Sequence, residues 1–188
     1  MVMIPFFVLF FYLPFPGHYF VSLAVFIIAS LTDLFDGKIA RKYHLVTNLG
    51  KFLDPIADKV LVATSFIVLL TRPEVFTAGG NLGNWTVIVA GCGVAVILGR
   101  EIIVSGFRTV AADAGVVIAA DKLGKYKTTF QDISVGVLLG SAGIAELTDH
   151  IAGVIVNYVG LAVFAIAIIL TILSGINYIV KNIEVLKK

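Results

Sequence analysis

An all-helical bundle of six membrane-spanning segments is the fold class this sequence predicts, and three observations predict it. Hydrophobic residues make up 59% of the chain and charged residues only 14%, against about 45–50% and about 25% in a soluble domain, so there is too little polar surface for a water-soluble globule. Several apolar runs reach the roughly 20 residues that a helix needs to cross the bilayer core. Those runs are continuously apolar rather than alternating, which excludes the closed barrel that a spanning sheet requires.

Glycine, proline and charge clusters divide the chain into helices at approximately 2–15, 18–43, 50–71, 84–112, 125–147 and 150–182. The first is short and apolar, but it lacks the basic leading region and small-residue cleavage site of a secretory signal peptide, and reads as a transmembrane helix. Pro14-Phe15-Pro16-Gly17 separates it from the second, and His44 to Asn48 separate the second from the third. The later breaks fall at Arg72-Pro73 through Gly83, at Asp113 to Gly124, and at Thr148 to His150. Residues 1–188 read as one integral membrane domain without low-complexity tracts or repeats. The single cysteine, Cys92, forms no intrachain disulfide, and between Gly91 and Gly93 it reads as a small residue at a helix crossing.

Lysine and arginine set the expected topology. With a cytoplasmic N-terminus, thirteen of the fourteen basic residues fall on the cytoplasmic side and only Arg72 outside, a positive-inside bias that places both termini in the cytoplasm. His18, Tyr19 and Trp85 then lie near the outer interface, where amphipathic rings commonly anchor. The net charge of +2 gives no reason to expect a nucleic-acid partner.

The informative stretch runs Asp33-Leu-Phe-Asp36-Gly37-Lys-Ile-Ala40-Arg41, then Gly50-Lys-Phe-Leu-Asp54-Pro-Ile-Ala-Asp58. Four aspartates within or at the edge of membrane helices cost on the order of 10 kcal/mol if uncompensated. Steps of three and four put Asp33, Asp36, Gly37 and Ala40 on one face of the second helix, and Gly50, Asp54 and Asp58 on one face of the third. A short turn makes these helices antiparallel neighbours, so the two acidic faces can meet. Carboxylates converging in this way repel one another unless a cation joins them. Hard divalent ions take oxygen ligands, and Mg²⁺ is usual where phosphates complete its shell. An interfacial ion-pair network with Lys38, Arg41, Lys51 and Lys59 is the structural alternative, but intramembrane carboxylates usually mark function.

The pattern D-x2-D-G-x2-A-R-x8-G-x3-D-x3-D is that of the CDP-alcohol phosphotransferases, and residues 33–58 resemble it at every fixed position and gap length. The resemblance implies a six-helix bundle, usually a homodimer in the membrane lipids, with a site for two Mg²⁺ or Mn²⁺ ions near the cytoplasmic face. It implies transfer from a CDP-linked lipid to an alcohol with release of CMP. Carried over, Asp33, Asp36 and Asp54 are metal ligands, and Asp58 is the general base, also near a metal. Asp33, Gly37, Ala40 and Arg41 would meet the CDP-lipid, the small residues admitting the nucleotide close to the backbone and Arg41 touching the diphosphate. An alcohol is a poor nucleophile at neutral pH, so a carboxylate one turn beyond Asp54 suits the base.

A second, cationic set bears on the acceptor. Arg100 and Arg108 lie about two turns apart in GREIIVSGFR, residues 99–108, and Lys122, Lys125 and Lys127 follow in KLGKYKT, residues 122–128. Lys125, Lys127 and Thr128, with the amides opening the fifth helix, make a candidate anion site, although cytoplasmic cations also serve topology and bind anionic lipids. Glu101 reads as a partner for Arg100. Both segments resemble those of the bacterial phosphatidylglycerophosphate synthases, the branch whose acceptor is glycerol 3-phosphate and whose lipid substrate is CDP-diacylglycerol. That implies a multi-pass protein of the bacterial inner membrane with its site facing the cytoplasm. Such enzymes usually begin with an amphipathic N-x-P-N-x-L-T-x-x-R stretch, and Met1-Val2-Met3-Ile4-Pro5 reads as starting after it. Other acceptors, namely inositol phosphate, serine or phosphatidylglycerol, are the nearest alternatives. A cation transporter is the alternative of a different class, but the aspartates cluster toward one end and the outer halves of these helices offer no continuing polar path.

Overall fold

The computed structural model describes residues 2–42, 48–78, 81–113, 122–147 and 150–182; side chains are described throughout these except at 33–42, 48–58, 113 and 122. Seven helices are described: α1 Met3–Tyr12, α2 His18–Lys42, α3 Asn48–Leu70, α4 Pro73–Phe76, α5 Trp85–Asp113, α6 Lys122–Leu147 and α7 His150–Asn182. No strand occurs among the described residues. The boundaries follow local chemistry. Leu13 turns extended before Pro14, ending α1, and Gly17 supplies the φ of +82° that starts α2. Pro73 occupies the first turn of α4, where its missing N–H costs nothing. That short helix lies in the segment the sequence presents only as a break.

Length and composition mark three helices as candidate spans: Trp85–Ala112, Leu123–Leu147 and His150–Asn182, with mean hydropathies of 2.2, 1.2 and 2.7 over their most apolar windows. The remaining apolar stretches among the described residues, Met3–Tyr12, His18–Thr32 and Lys59–Leu70, are shorter. Among the described residues, length and composition thus support three of the six expected spans. Pro14 sets the end of α1 at Tyr12.

The core is aromatic at the α1–α2 end and aliphatic beyond it. Phe7, Phe11, Tyr19 and Phe26 interlock α1 with α2, and Phe66, Phe76 and Phe164 join α3, α4 and α7 at ring separations of 5.2–5.8 Å. Outward faces are as apolar as the core. Ile88, Ile102 and Ile151 are each about 70% exposed, and only 28% of the spanning windows of α5 and α7 is buried. An exposed apolar surface this extensive is stable in lipid, not in water, and the chain is a membrane protein.

Two expectations are corrected. Tyr19 is buried, edge-on to Phe11 at 5.4 Å and over His18 at 4.0 Å, because α1 folds back across the start of α2; Trp85, by contrast, is 63% exposed. Cys92 faces outward, and Gly93 is the residue at the crossing, packed under Phe164 and Ile168 of α7. One position along a helix turns a side chain by about 100°, enough to exchange the two.

Helices α6 and α7 form an antiparallel hairpin that is the most extensive contact in the bundle. Between two membrane helices, close packing and polar contacts replace the hydrophobic drive available in water. Gln131 donates to Thr171 at 3.1 Å, and Asn157 Nδ2 donates to Ser141 Oγ at 2.9 Å, both buried. Ser134, Ser141 and Thr171 satisfy their own hydroxyls on carbonyls one turn back. Gly153 lies so close to α6 that an added Cβ falls 2.5 Å from Ala145 Cβ and 2.7 Å from its backbone. Gly153→Val therefore forces the hairpin apart and should destabilise the protein by about 1–3 kcal/mol or more. Thermal unfolding in detergent checks this, with Gly91→Ala, whose added Cβ meets nothing within 4 Å, expected to match or slightly exceed the parent.

Candidate functional site

The acidic motif lies across one helix junction. Asp33, Asp36, Gly37, Ala40 and Arg41 belong to the last third of α2, and Gly50, Asp54 and Asp58 to the first half of α3, which packs against α2. Both segments are continuous helix, so the three- and four-residue steps hold and each set shares a face. The side chains of Asp33, Asp36, Gly37, Ala40, Arg41, Asp54 and Asp58 lie outside the described residues.

Immediately beyond Asp58 the side chains are described, and they form a charged knot between α3, α5 and α6. Lys59 donates to Ser105 Oγ, and Ser105 donates to the Glu101 carbonyl at 2.6 Å. One carboxylate oxygen, Glu101 Oε1, accepts from both Arg100 Nη1, at 3.2 Å, and Lys127 Nζ. Lys127 is 2% exposed, and the side chains of Arg100 and Glu101 only 12% and 17%. Glu101 is thus the pairing partner of Arg100 that the sequence suggests, and it also holds Lys127, 26 positions away. The aliphatic stem of Arg100 runs over Gly175 of α7, where an added Cβ would lie 3.1 Å from Arg100 Cγ. Burying a charge is tolerable only when it is paired and hydrogen-bonded. This knot meets that condition with groups from three helices.

A cavity of about 20 Å³ opens beside the knot, lined by Lys59, Ala63, Glu101, Lys127, Thr128 and Gln131. The other members of the expected clamp are placed differently. Arg108, about 12 Å along α5 from Arg100, is exposed; its guanidinium stacks over the Tyr178 ring at 5.5 Å, and its Nε donates to the Tyr178 hydroxyl at 3.3 Å. Lys125 is exposed, and the Thr128 hydroxyl bonds the Lys125 carbonyl at 2.9 Å within α6. The five expected residues therefore divide into an inner set, with Lys127 buried and Arg100 and Thr128 half-buried, and an exposed rim of Arg108 and Lys125.

Sequence reasoning did not single out Ser105, Gln131 or Tyr178, and gave Lys59 only as an interfacial ion-pairing residue. Lys59 and Gln131 carried a usable signal: one directly follows Asp58, and the other lies one turn beyond Lys127 on the same face. Tyr178 carried none, because its contact with Arg108 spans 70 positions.

With this geometry in view, comparison with known proteins is direct. Residues 1–173 match the model of the CDP-alcohol phosphatidyltransferase family. The chain is similar to the CDP-diacylglycerol–glycerol-3-phosphate 3-phosphatidyltransferase of Bacillus subtilis (strain 168), 41% identical over 172 residues, covering 92% of this chain and 78% of that protein. It is similar to the proteins of that name from Escherichia coli (strain K12), at 37% identity, and Salmonella paratyphi A, at 38%, each over 180 residues covering 95% of this chain and 87% of the relative. The junction of α2 and α3 bears this family's acidic pattern and the matched region spans all of the helices up to the last turns of α7, so the chain belongs to the CDP-alcohol phosphatidyltransferase family.

Proposed function

We propose that this protein transfers the phosphatidyl group of CDP-diacylglycerol to glycerol 3-phosphate, giving phosphatidylglycerophosphate and CMP. The observation that carries the reading is the acidic pattern of residues 33–58, held on two packed helices beside a buried cationic knot, in a chain whose relatives bear that activity in their names. In the net reaction a hydroxyl oxygen of the acceptor bonds to the phosphorus that carries diacylglycerol. The bond from that phosphorus to CMP breaks, and the hydroxyl proton passes to Asp58.

Asp33, Asp36 and Asp54, with Asp58 beside them, are the carboxylates that would hold two Mg²⁺ or Mn²⁺ ions; an all-oxygen donor set suits a hard cation. Such ions, when bound, neutralise charge on a diphosphate and its leaving group. Gly37 and Ala40 give the nucleotide a close approach to α2, and Arg41 reaches the diphosphate. On the acceptor side, Arg108 and Lys125 form an exposed rim that meets the phosphate first, with Thr128 at the start of α6. Arg100 and Lys127 lie behind it, fixed by Glu101, and keep the inner wall positive.

The same reading makes residues 1–188 one catalytic domain with six membrane crossings. Helices α2 and α3 are 25 and 23 residues long, about 37 and 34 Å, and therefore long enough to span. The basic residues cluster at the motif's end of the bundle, which favours a site facing the cytoplasm from a bacterial inner membrane. A homodimer follows from the family resemblance, and the exposed apolar faces leave room for a partner within the lipid.

Three outcomes test this function. Asp33→Asn, Asp36→Asn and Asp54→Asn should each lower Mg²⁺-dependent CMP release by orders of magnitude, and chelation should do the same to the parent; near-normal release at low Mg²⁺ removes the metal site. Asp58→Asn should lose about 10²–10⁴-fold in turnover while retaining CDP-diacylglycerol binding, and an equal loss of both makes Asp58 a ligand rather than the base.

The acceptor assignment is tested by separate Arg108→Gln and Lys125→Gln variants, each expected to raise the Michaelis constant for glycerol 3-phosphate about 10- to 150-fold with little change in that for CDP-diacylglycerol. Glu101→Gln should instead lower the thermal stability of the whole protein, since it removes the carboxylate that Arg100 and Lys127 share. A parent enzyme that uses inositol phosphate, serine or unphosphorylated glycerol as well as glycerol 3-phosphate belongs to another branch of the family.

A further inference from the structure

A second concavity opens at the end of the bundle opposite the acidic motif. It has a volume of about 230 Å³ and lies between the start of α2, α4, the end of α6 and the start of α7. Fifteen positions of α2 separate His18 from Asp33, about 22 Å along the helix, so this cavity is remote from the transfer chemistry. Its polar lining is Tyr19, Glu74, Glu146, His150 and Asn157, and its walls include Val75, Ala142 and Val154.

Asn157 fixes the chemistry. It is 5% exposed and crosses from α7 to both neighbours, its Nδ2 donating to the Val75 carbonyl of α4 and to Ser141 Oγ of α6, each at 2.9 Å. Both amide protons are thereby committed. Its Oδ1 is buried with no hydrogen-bond partner among the described residues, although an unmet buried acceptor is costly. Glu74 and Glu146 add two carboxylates to the same lining, and Glu146 Oε1 is 3.9 Å from His18 Nε2 on its other side. The C-terminal carbonyls of α6 and the N-terminal amides of α7 meet here with opposite dipole signs, and Arg72, over the Phe11 ring that packs on Tyr19, stands against the two carboxylates, which outnumber it. The cavity is rich in acceptors and negative, with apolar walls.

We propose that this cavity binds a primary ammonium group, either the headgroup of an aminophospholipid or a free small amine. The Asn157 carbonyl oxygen and the two carboxylates are the acceptors this lining offers to N–H donors, and the apolar walls suit the adjoining methylenes. A divalent metal fits less well, because among the described residues no three His, Cys, Asp or Glu side chains are placed to hold one. The proposal is independent of the transferase reading.

The test uses the full-length protein in phosphatidylcholine nanodiscs with and without phosphatidylethanolamine, counting retained lipid by native mass spectrometry. Thermal unfolding in phosphatidylcholine alone is followed with added ethanolamine, its mono- and dimethyl derivatives, and choline. Unmethylated ammonium should be preferred to trimethylated by about tenfold or more. The preference should decline along the methylation series and disappear in a Glu74→Gln/Glu146→Gln protein that still releases CMP. Preferential retention of phosphatidylethanolamine without a response to free ethanolamine assigns a lipid headgroup, and the reverse assigns a soluble amine. Equal behaviour of ethanolamine and choline, together with equal retention of the two lipids by the parent, overturns the proposal, and this comparison needs no variant.

Discussion

Burial of the Lys127 ammonium against the Glu101 carboxylate, which Arg100 shares, is the interaction around which the inner charges are placed. It fixes α6 against α5 at the level of Arg100, while the hydrogen bond from Lys59 to Ser105 brings α3 to the same level. Three helices are thereby joined by charge and hydrogen bonding at one level. The medium makes this effective: an unpaired ammonium at this depth costs several kcal/mol, so alternative registers that separate Lys127 from Glu101 are penalised.

Away from that knot the bundle relies on shape. Lipid is as apolar as the side chains it contacts, so burying Leu138 or Phe164 gains little unless the surfaces interlock. The α6–α7 hairpin interlocks through Gly153 against Ala145 and Gly160 against Leu138, and its polar residues pair across the same seam. The result is a chain with two polar ends of different sign joined by an apolar middle. One end carries the motif and the cations that the transfer reaction would use. The other carries Glu74, Glu146 and Asn157, and α2 and α6 run between them.

Division of the expected anion clamp into an inner set and an exposed rim has a consequence for how such a site works. Arg108, stacked on Tyr178, and Lys125 can exchange water for an anion at small desolvation cost. Arg100 and Lys127, already committed to Glu101, act through the field they maintain rather than through mobile contacts. Under the proposed function, specificity for a doubly charged acceptor would come from the rim, with the knot setting the background potential.

The sequence by itself determined the class, the helices and the family. Continuous apolar runs, proline and glycine breaks, and the spacing of Asp33 through Asp58 are local signals, and helical periodicity converts each into a face without knowledge of any neighbour. The start of α7 at His150 and the pairing of Glu101 with Arg100 were legible for that reason. Only the tertiary structure decided what lies more than a turn or two apart in the chain. It brought Lys127 to Glu101, stacked Arg108 on Tyr178, buried Tyr19 beneath α1, and turned Cys92 outward in favour of Gly93. The physical reason is that a helix face is fixed by 3.6-residue periodicity, whereas the partner of that face is chosen by packing and by the cost of leaving a charge alone in an apolar medium.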